Sequence, residues 1–181
     1  MKFNAFRAML IALLLSTFSA PAMALQCVPF ARESSGIEIF GNAKTWWYKA
    51  AGNYDRGTAP QVGAVMAFKP TRGMPIGHVA TVSQIVSDRE VLISHSNWSR
   101  INGRRGQIER NVRVLDVSVS GDWSKVRVWY APLQDLGTST YPLFGFIYAG
   151  KKVPATPSAP RDNSPLVGPD IYRLAALEAA I

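Results

Sequence analysis

Cysteine is almost absent from this chain of 181 residues: Cys27 stands alone and cannot close an internal disulfide, so the fold must rest on its hydrophobic core. Histidine is nearly as scarce, with His78 and His95 only. Any Cys/His nucleophilic centre must therefore draw on these three residues. So must any zinc site, and they lack the close spacing of metal motifs, so no metal or cofactor is expected. A Gly-x-Ser-x-Gly turn is missing, which sets aside the serine hydrolases that use that elbow. No long run of lysine and arginine occurs; the basic residues are scattered, and nucleic acid is not an expected partner. No internal repeat is visible.

What is present begins with an export signal. Lys2 and Arg7 form a short positive region, residues 8–18 are mostly apolar, and Ala22-Met23-Ala24 fits the small-x-small cleavage pattern of a secretory peptide. The apolar stretch falls short of the roughly 20 residues that a bilayer-spanning helix needs. Residues 1–24 are thus expected to be removed, with a mature chain from Leu25 that has no stable membrane insertion. Its destination is the periplasm or the extracellular space. Lys2 and Arg7 leave with that segment and no acid does, so the formal charge of +8 falls by two. A basic exported protein is drawn to anionic polymers and surfaces, of which cell wall is one. A leftover cysteine in an oxidising compartment suggests a used, reactive thiol. Gln26 stands where lipid attachment to Cys27 would need a small residue, which argues against a lipoprotein.

Residues 26–35 read as a short helix, with Pro29 tolerated in its first turn and Gly36 as its stop. A second helix is expected over about 42–51, with Trp47, Ala50 and Ala51 on one face, followed by a loop over 53–60. The pattern then turns to strands. Residues 62–68 form an apolar run, broken by the Gly- and Pro-containing loop that ends at Gly77. Residues 79–85 and 91–93 read as an antiparallel hairpin around Ser87-Asp88-Arg89. Val112, Val114, Val117 and Val119 suggest one bulged strand, and Val126, Val128 and Tyr130 another. Residues 144–148 offer a last edge strand. Helices first and an antiparallel sheet after make an α+β arrangement. One domain is expected over 25–150, with a Pro-rich linker and a short C-terminal helix over 151–181.

Cys27 falls at a helix N-terminus, where the dipole is expected to lower its pKa and favour thiolate. His78 opens a strand after a glycine. With an even number of residues in the hairpin loop, His78, His95 and Asn97 share a sheet face. Nucleophile, base and base-orienting group can then converge. Each residue also has a plainer reading. Lone buried cysteines are usually inert, histidines are often structural, and asparagine commonly ends a strand.

Gln26-Cys27-Val28-Pro29-Phe30-Ala31-Arg32 with Ser35-Gly36, then the 60–68 strand, Gly77-His78-Val79-Ala80 and Ser94-His95-Ser96-Asn97-Trp98, occur in one order. Together they resemble CHAP domains, the cysteine, histidine-dependent amidohydrolase/peptidase family, over roughly residues 25–131. The resemblance implies a papain-like fold, N-terminal helices packed on an antiparallel sheet, and hydrolysis of peptide or amide bonds in peptidoglycan. It makes Cys27 the nucleophile and His78 the general base. Many relatives carry glutamate two residues before the asparagine, where this chain has His95. Orientation of the imidazole is therefore left to Asn97 or His95. Relatives also carry Gly-Asp where Gly63-Ala64 stands. The expected oxyanion donors are the Cys27 backbone N–H and Gln26. The rival from another class is a non-catalytic wall-binding module with Trp46, Trp47, Trp98, Trp123 and Trp129 along a glycan groove. The oligomeric state is not legible.

Overall fold

The computed structural model describes residues 26–151, and the chain enters it through helix α1, Cys27–Ser35. Gln26 is the extended residue before the first turn, and Pro29 sits where a missing N–H has no helical acceptor to lose. Gly36 ends the helix at φ 72°, its N–H bonding back to the Arg32 carbonyl at 2.9 Å. The helix buries Cys27, Phe30 and Ala31. The expected signal peptide, and the expected linker and C-terminal helix beyond Lys151, lie outside the described residues.

The second helix is shorter than its pattern suggested. A single 3-10 turn, Ala43–Thr45, runs into α2, Trp46–Lys49, and the buried side chains are Ala43, Trp46 and Ala50 rather than Trp47 and Ala51. The expected loop that follows contains strand β1, Tyr54–Gly57. Six more strands come next: β2, Val65–Phe68; β3, His78–Ser87; β4, Glu90–Ser96; β5, Ile108–Asp116; β6, Lys125–Tyr130; and the two-residue β7, Asp135–Leu136. The last is β8, Tyr141–Lys151. Val117 and Val119, expected within β5, lie beyond its end, and Val119 is fully exposed.

These strands correct the fold class. The protein is mostly β, 45% strand against 15% helix, and the helices are short; it is not a papain-like α+β fold of N-terminal helices packed on a sheet. Strands β8, β2, β3, β4, β5 and β6 close into a six-stranded antiparallel barrel, because β6 pairs back onto β8 through Lys125↔Pro142 and Val126↔Tyr141. The segment read as an edge strand is thus the one that seals the barrel. β8 pairs with β2 along one edge, and on the other with β1 towards its end and with β6 at its start. Closure removes the open edges that an α+β sheet would have left. At Gly145, φ 139°, a Cβ would run into the Gly57 carbonyl and the Trp47 ring, so only glycine lets β1, β8 and the α2 region approach there.

β2 shows how the layers are built. All four of its residues are buried. Met66 and Phe68 face the barrel interior with Val82, Ile93, Val114, Val126 and Phe146. Val65 and Ala67 face outward, under Ala31, Ile37, Trp46 and Ile147. A strand covered on both faces has no polar alternation, which is why its sequence is a continuous apolar run. No helix among the described residues is long and apolar enough to cross a membrane.

Candidate active site

Cys27 stands in the first turn of α1 and lines a cleft of about 580 Å³ that His78, Asn97, Trp98, Arg105 and Tyr141 also line. Its far wall is the loop between β2 and β3. The thiol takes hydrogen bonds from backbone N–H groups, that of Val79 first, then those of Val28 and Cys27 itself. Val79 follows His78 directly, so the sulfur is anchored to the start of β3. The helix-dipole expectation for its pKa is overturned: burial pushes the thiol above its ordinary value, and the N–H bonds only partly offset this. At neutral pH the Cys27 thiol therefore rests uncharged.

His78 is placed by a close backbone approach. Gly77 has φ 72°, and a Cβ there would lie 2.9 Å from the Lys44 backbone nitrogen and 3.1 Å from the Phe68 carbonyl. A larger residue would push the 3-10 turn away from β2 and tilt His78. The imidazole is buried among the rings of Phe68, Trp98 and His95, with centroids 5.4, 4.9 and 5.1 Å away. Burial, helped by the positive charge of Arg105, lowers its pKa to about 3. At neutral pH it is therefore an uncharged base.

His78 Nε2 lies 3.0 Å from His95 Nδ1, with both rings buried. The register explains the meeting. The hairpin turn pairs Ser87 with Glu90, and Thr81 pairs with Ser94 nearer the site. Two register shifts lie between the turn and the site; one alone would reverse the faces, whereas two restore them. Strand β4 thus presents His95 on the face of His78. Burial, then the neighbouring His78, lowers the pKa of His95 as well.

Asn97 takes a different place from His95. It follows the last residue of β4 with φ 63°, a left-handed conformation that asparagine tolerates, and this turns its side chain aside. Its Nδ2 donates to Gln26 Oε1 at 2.8 Å. Gln26 makes no side-chain cap to α1 and is tied to the strand end instead.

Several site residues escaped the sequence reading. Arg105 and Tyr141 come from segments that carried no motif, and the aromatic cage around His78 is visible only in three dimensions. A Gly-rich loop before His78 was the one available signal for the cleft wall. Glu109 also went unnoticed: its Oε1 lies 4.0 Å from His95 Nε2. Among the described residues no group of three His, Cys, Asp or Glu is placed to hold a metal ion.

Residues 18–97 match the family described as CHAP domain. The matched stretch is under half of the chain; it holds Gln26, Cys27, His78, His95 and Asn97 and ends before Trp98 and Glu109. It points to a peptidoglycan-related hydrolase or amidase. No curated protein matches the chain.

Proposed function

We propose, with the CHAP domain over residues 18–97 as premise, that this chain is an exported cysteine amidohydrolase/peptidase that cleaves amide bonds in peptidoglycan through a thiol acyl-enzyme. The observation that carries the reading is the cleft shared by a helix-N-terminal thiol and a buried neutral imidazole, with the thiol bonded to the residue next to that imidazole. Cys27 is the nucleophile and His78 the base. With His78 Nε2 turned to His95, Nδ1 is left for the cleft. As sulfur attacks the carbonyl, the thiol proton passes to His78 Nδ1, and His78 then gives it to the leaving amine. Water hydrolyses the thioester and restores the thiol.

His95 orients the base, accepting the His78 Nε2–H at Nδ1. Asn97 acts on the other side of the cleft by holding Gln26. The oxyanion donors in this reading are the Cys27 backbone N–H and the Gln26 amide, whose oxygen is already engaged by Asn97. Residues 1–24 serve as the signal peptide and 25–150 as the hydrolase domain. The wall-binding alternative is weakened, because Trp46 and Trp123 are core side chains, and Trp98, also buried, lines the cleft alongside Cys27 and His78.

The test compares the protein with Cys27→Ala on purified peptidoglycan. Release of new amines should fall at least a thousandfold to background, with the melting temperature preserved. Mass spectrometry of the soluble products then identifies the bond. Equal amine release by both proteins refutes the reading.

A further inference from the structure

Among the described residues three buried side-chain polar atoms lack a hydrogen-bond partner: Arg32 Nε, Trp46 Nε1 and His95 Nε2. The third sits one ring behind the proposed base. If His78 keeps Nδ1 free for the thiol, its Nε2 carries the proton and donates to His95 Nδ1. His95 must then hold its own proton on Nε2, the buried atom with no acceptor in bonding range. The nearest carboxylate oxygen is Glu109 Oε1, 4.0 Å away.

The placement of Glu109 follows from a defect in the sheet. Ile93 pairs with Val112, and without interruption His95 would stand opposite Arg110. A register shift between Ile93 and His95 instead puts Glu109 opposite His95. Cross-strand partners project to the same face, so the bulge places an acid, not a cation, beside the ring. The carboxylate is itself held: Oε1 accepts the Ser99 N–H at 2.7 Å, and its side chain is only 10% exposed. Ser99 is buried in turn, with its hydroxyl accepting from the Ala131 N–H. These bonds fix the oxygen rather than let it swing to solvent.

We infer that Glu109 is a positioning residue for the proposed reaction, the outermost member of a Cys27–His78–His95–Glu109 chain, holding His95 in the Nε2–H tautomer that can receive the His78 proton donor. The inference rests on the amide-hydrolase reading. It supplies the carboxylate that the His95 position lacks, displaced by one ring and contributed by the neighbouring strand. Glu109 acts through His95 and touches neither thiol nor substrate.

Glu109→Gln tests it, because glutamine keeps an oxygen for the Ser99 N–H and removes only the charge. On purified peptidoglycan, kcat for amine release should fall about tenfold to a hundredfold, with KM within about twofold and the melting temperature unchanged. In a His95→Gln background the same substitution should change kcat by less than about twofold. Nitrogen-15 spectra of the imidazoles should show His95 protonated at Nε2 in the unaltered protein and a mixture of tautomers in Glu109→Gln. An unchanged kcat, or equal losses in both backgrounds, overturns the assignment while leaving the hydrolase reading intact. If the unaltered protein releases no more amine than Cys27→Ala, the hydrolase reading fails. The tautomer spectra then decide Glu109 alone, and an unchanged His95 signal rejects it.

Discussion

The two ends of the β4–β5 pair each bury a cluster of polar side chains, and the clusters are finished differently. At the end near the β3–β4 turn, Asp116 Oδ1 accepts the N–H and the hydroxyl of Ser118 at 2.8 and 2.6 Å. Its Oδ2 accepts the Trp123 N–H at 3.4 Å and lies 3.3 Å from Arg89 Nε. Arg89 also donates to the Asp116 and Ser118 carbonyls. Every group there is answered by the chain itself, as a structural cluster requires. At the other end, roughly 20 Å along the strand at about 3.3 Å per residue, His78 and His95 answer one another but leave a nitrogen unpaired, and an open cleft adjoins them. A satisfied cluster locks a fold. An incomplete one beside a cleft keeps groups available for a substrate.

The sharpest way to break this contrast is Asp116→Ala. The change strands the Ser118 and Trp123 backbone N–H groups and removes one of Arg89's partners, and should cost about 2–4 kcal/mol. The melting temperature should drop by roughly 10 °C or more in a thermal scan, and amine release should fall only in proportion to the folded fraction. A stable, inactive Asp116→Ala protein would reverse the roles assigned to the two ends.

The histidine end should show itself through acid. His78 has its folded pKa lowered from 6.5 to about 3, and His95 is lowered too. Between those limits the unfolded chain binds protons that the folded chain refuses, so stability rises with pH in that window. It is intact above about pH 6.5 and declines below it, by about 1.4 kcal/mol per pH unit for each buried imidazole. Denaturant melts between pH 7 and pH 4 check the slope, and replacing both histidines with glutamine should flatten it. A slope unaltered by that replacement would move the acid sensitivity elsewhere.

The smallest effect belongs to the cleft rim. Arg105 is exposed, lines the cleft and disfavours a charged His78. Arg105→Gln should raise KM for peptidoglycan about twofold to fivefold, the scale of an exposed ion pair. It should also move the acid limb of the rate profile to higher pH, because His78 protonates more readily. A profile displaced the other way would mean that Arg105 does not face the base.

Much of the site could be read from residue order, because its signals are local. A thiol between an N-terminal cap and Pro29, and a histidine after a glycine, each report a backbone feature that needs only nearest neighbours. Helix α1 and the β3–β4 hairpin came from the same kind of signal. The barrel did not. Met66 pairs with Phe146 across most of the described chain, and periodicity marks a strand without naming its partner. Residues 144–148, read as a last edge strand, belong to β8, which seals the barrel. The α+β expectation failed there, and again in the 42–51 stretch, where only four residues hold an α-helix. The thiol's pKa was misjudged because burial, a tertiary effect, outweighs the backbone N–H groups gathered at the helix start and at Val79.

By itself the order of residues determined which side chains could take part in thiol chemistry, since one cysteine and two histidines leave so few choices. It also determined that the cysteine begins a helix and the first histidine begins a strand. Tertiary structure decided what surrounds them: a closed barrel in place of a one-sided sheet, a neutral pair in place of a thiolate, His95 rather than Asn97 against the His78 ring, and Glu109 beside His95. Those outcomes depend on strand register and on desolvation. Both arise only when distant segments meet and exclude water, and a bulge of one residue is enough to exchange Arg110 for Glu109.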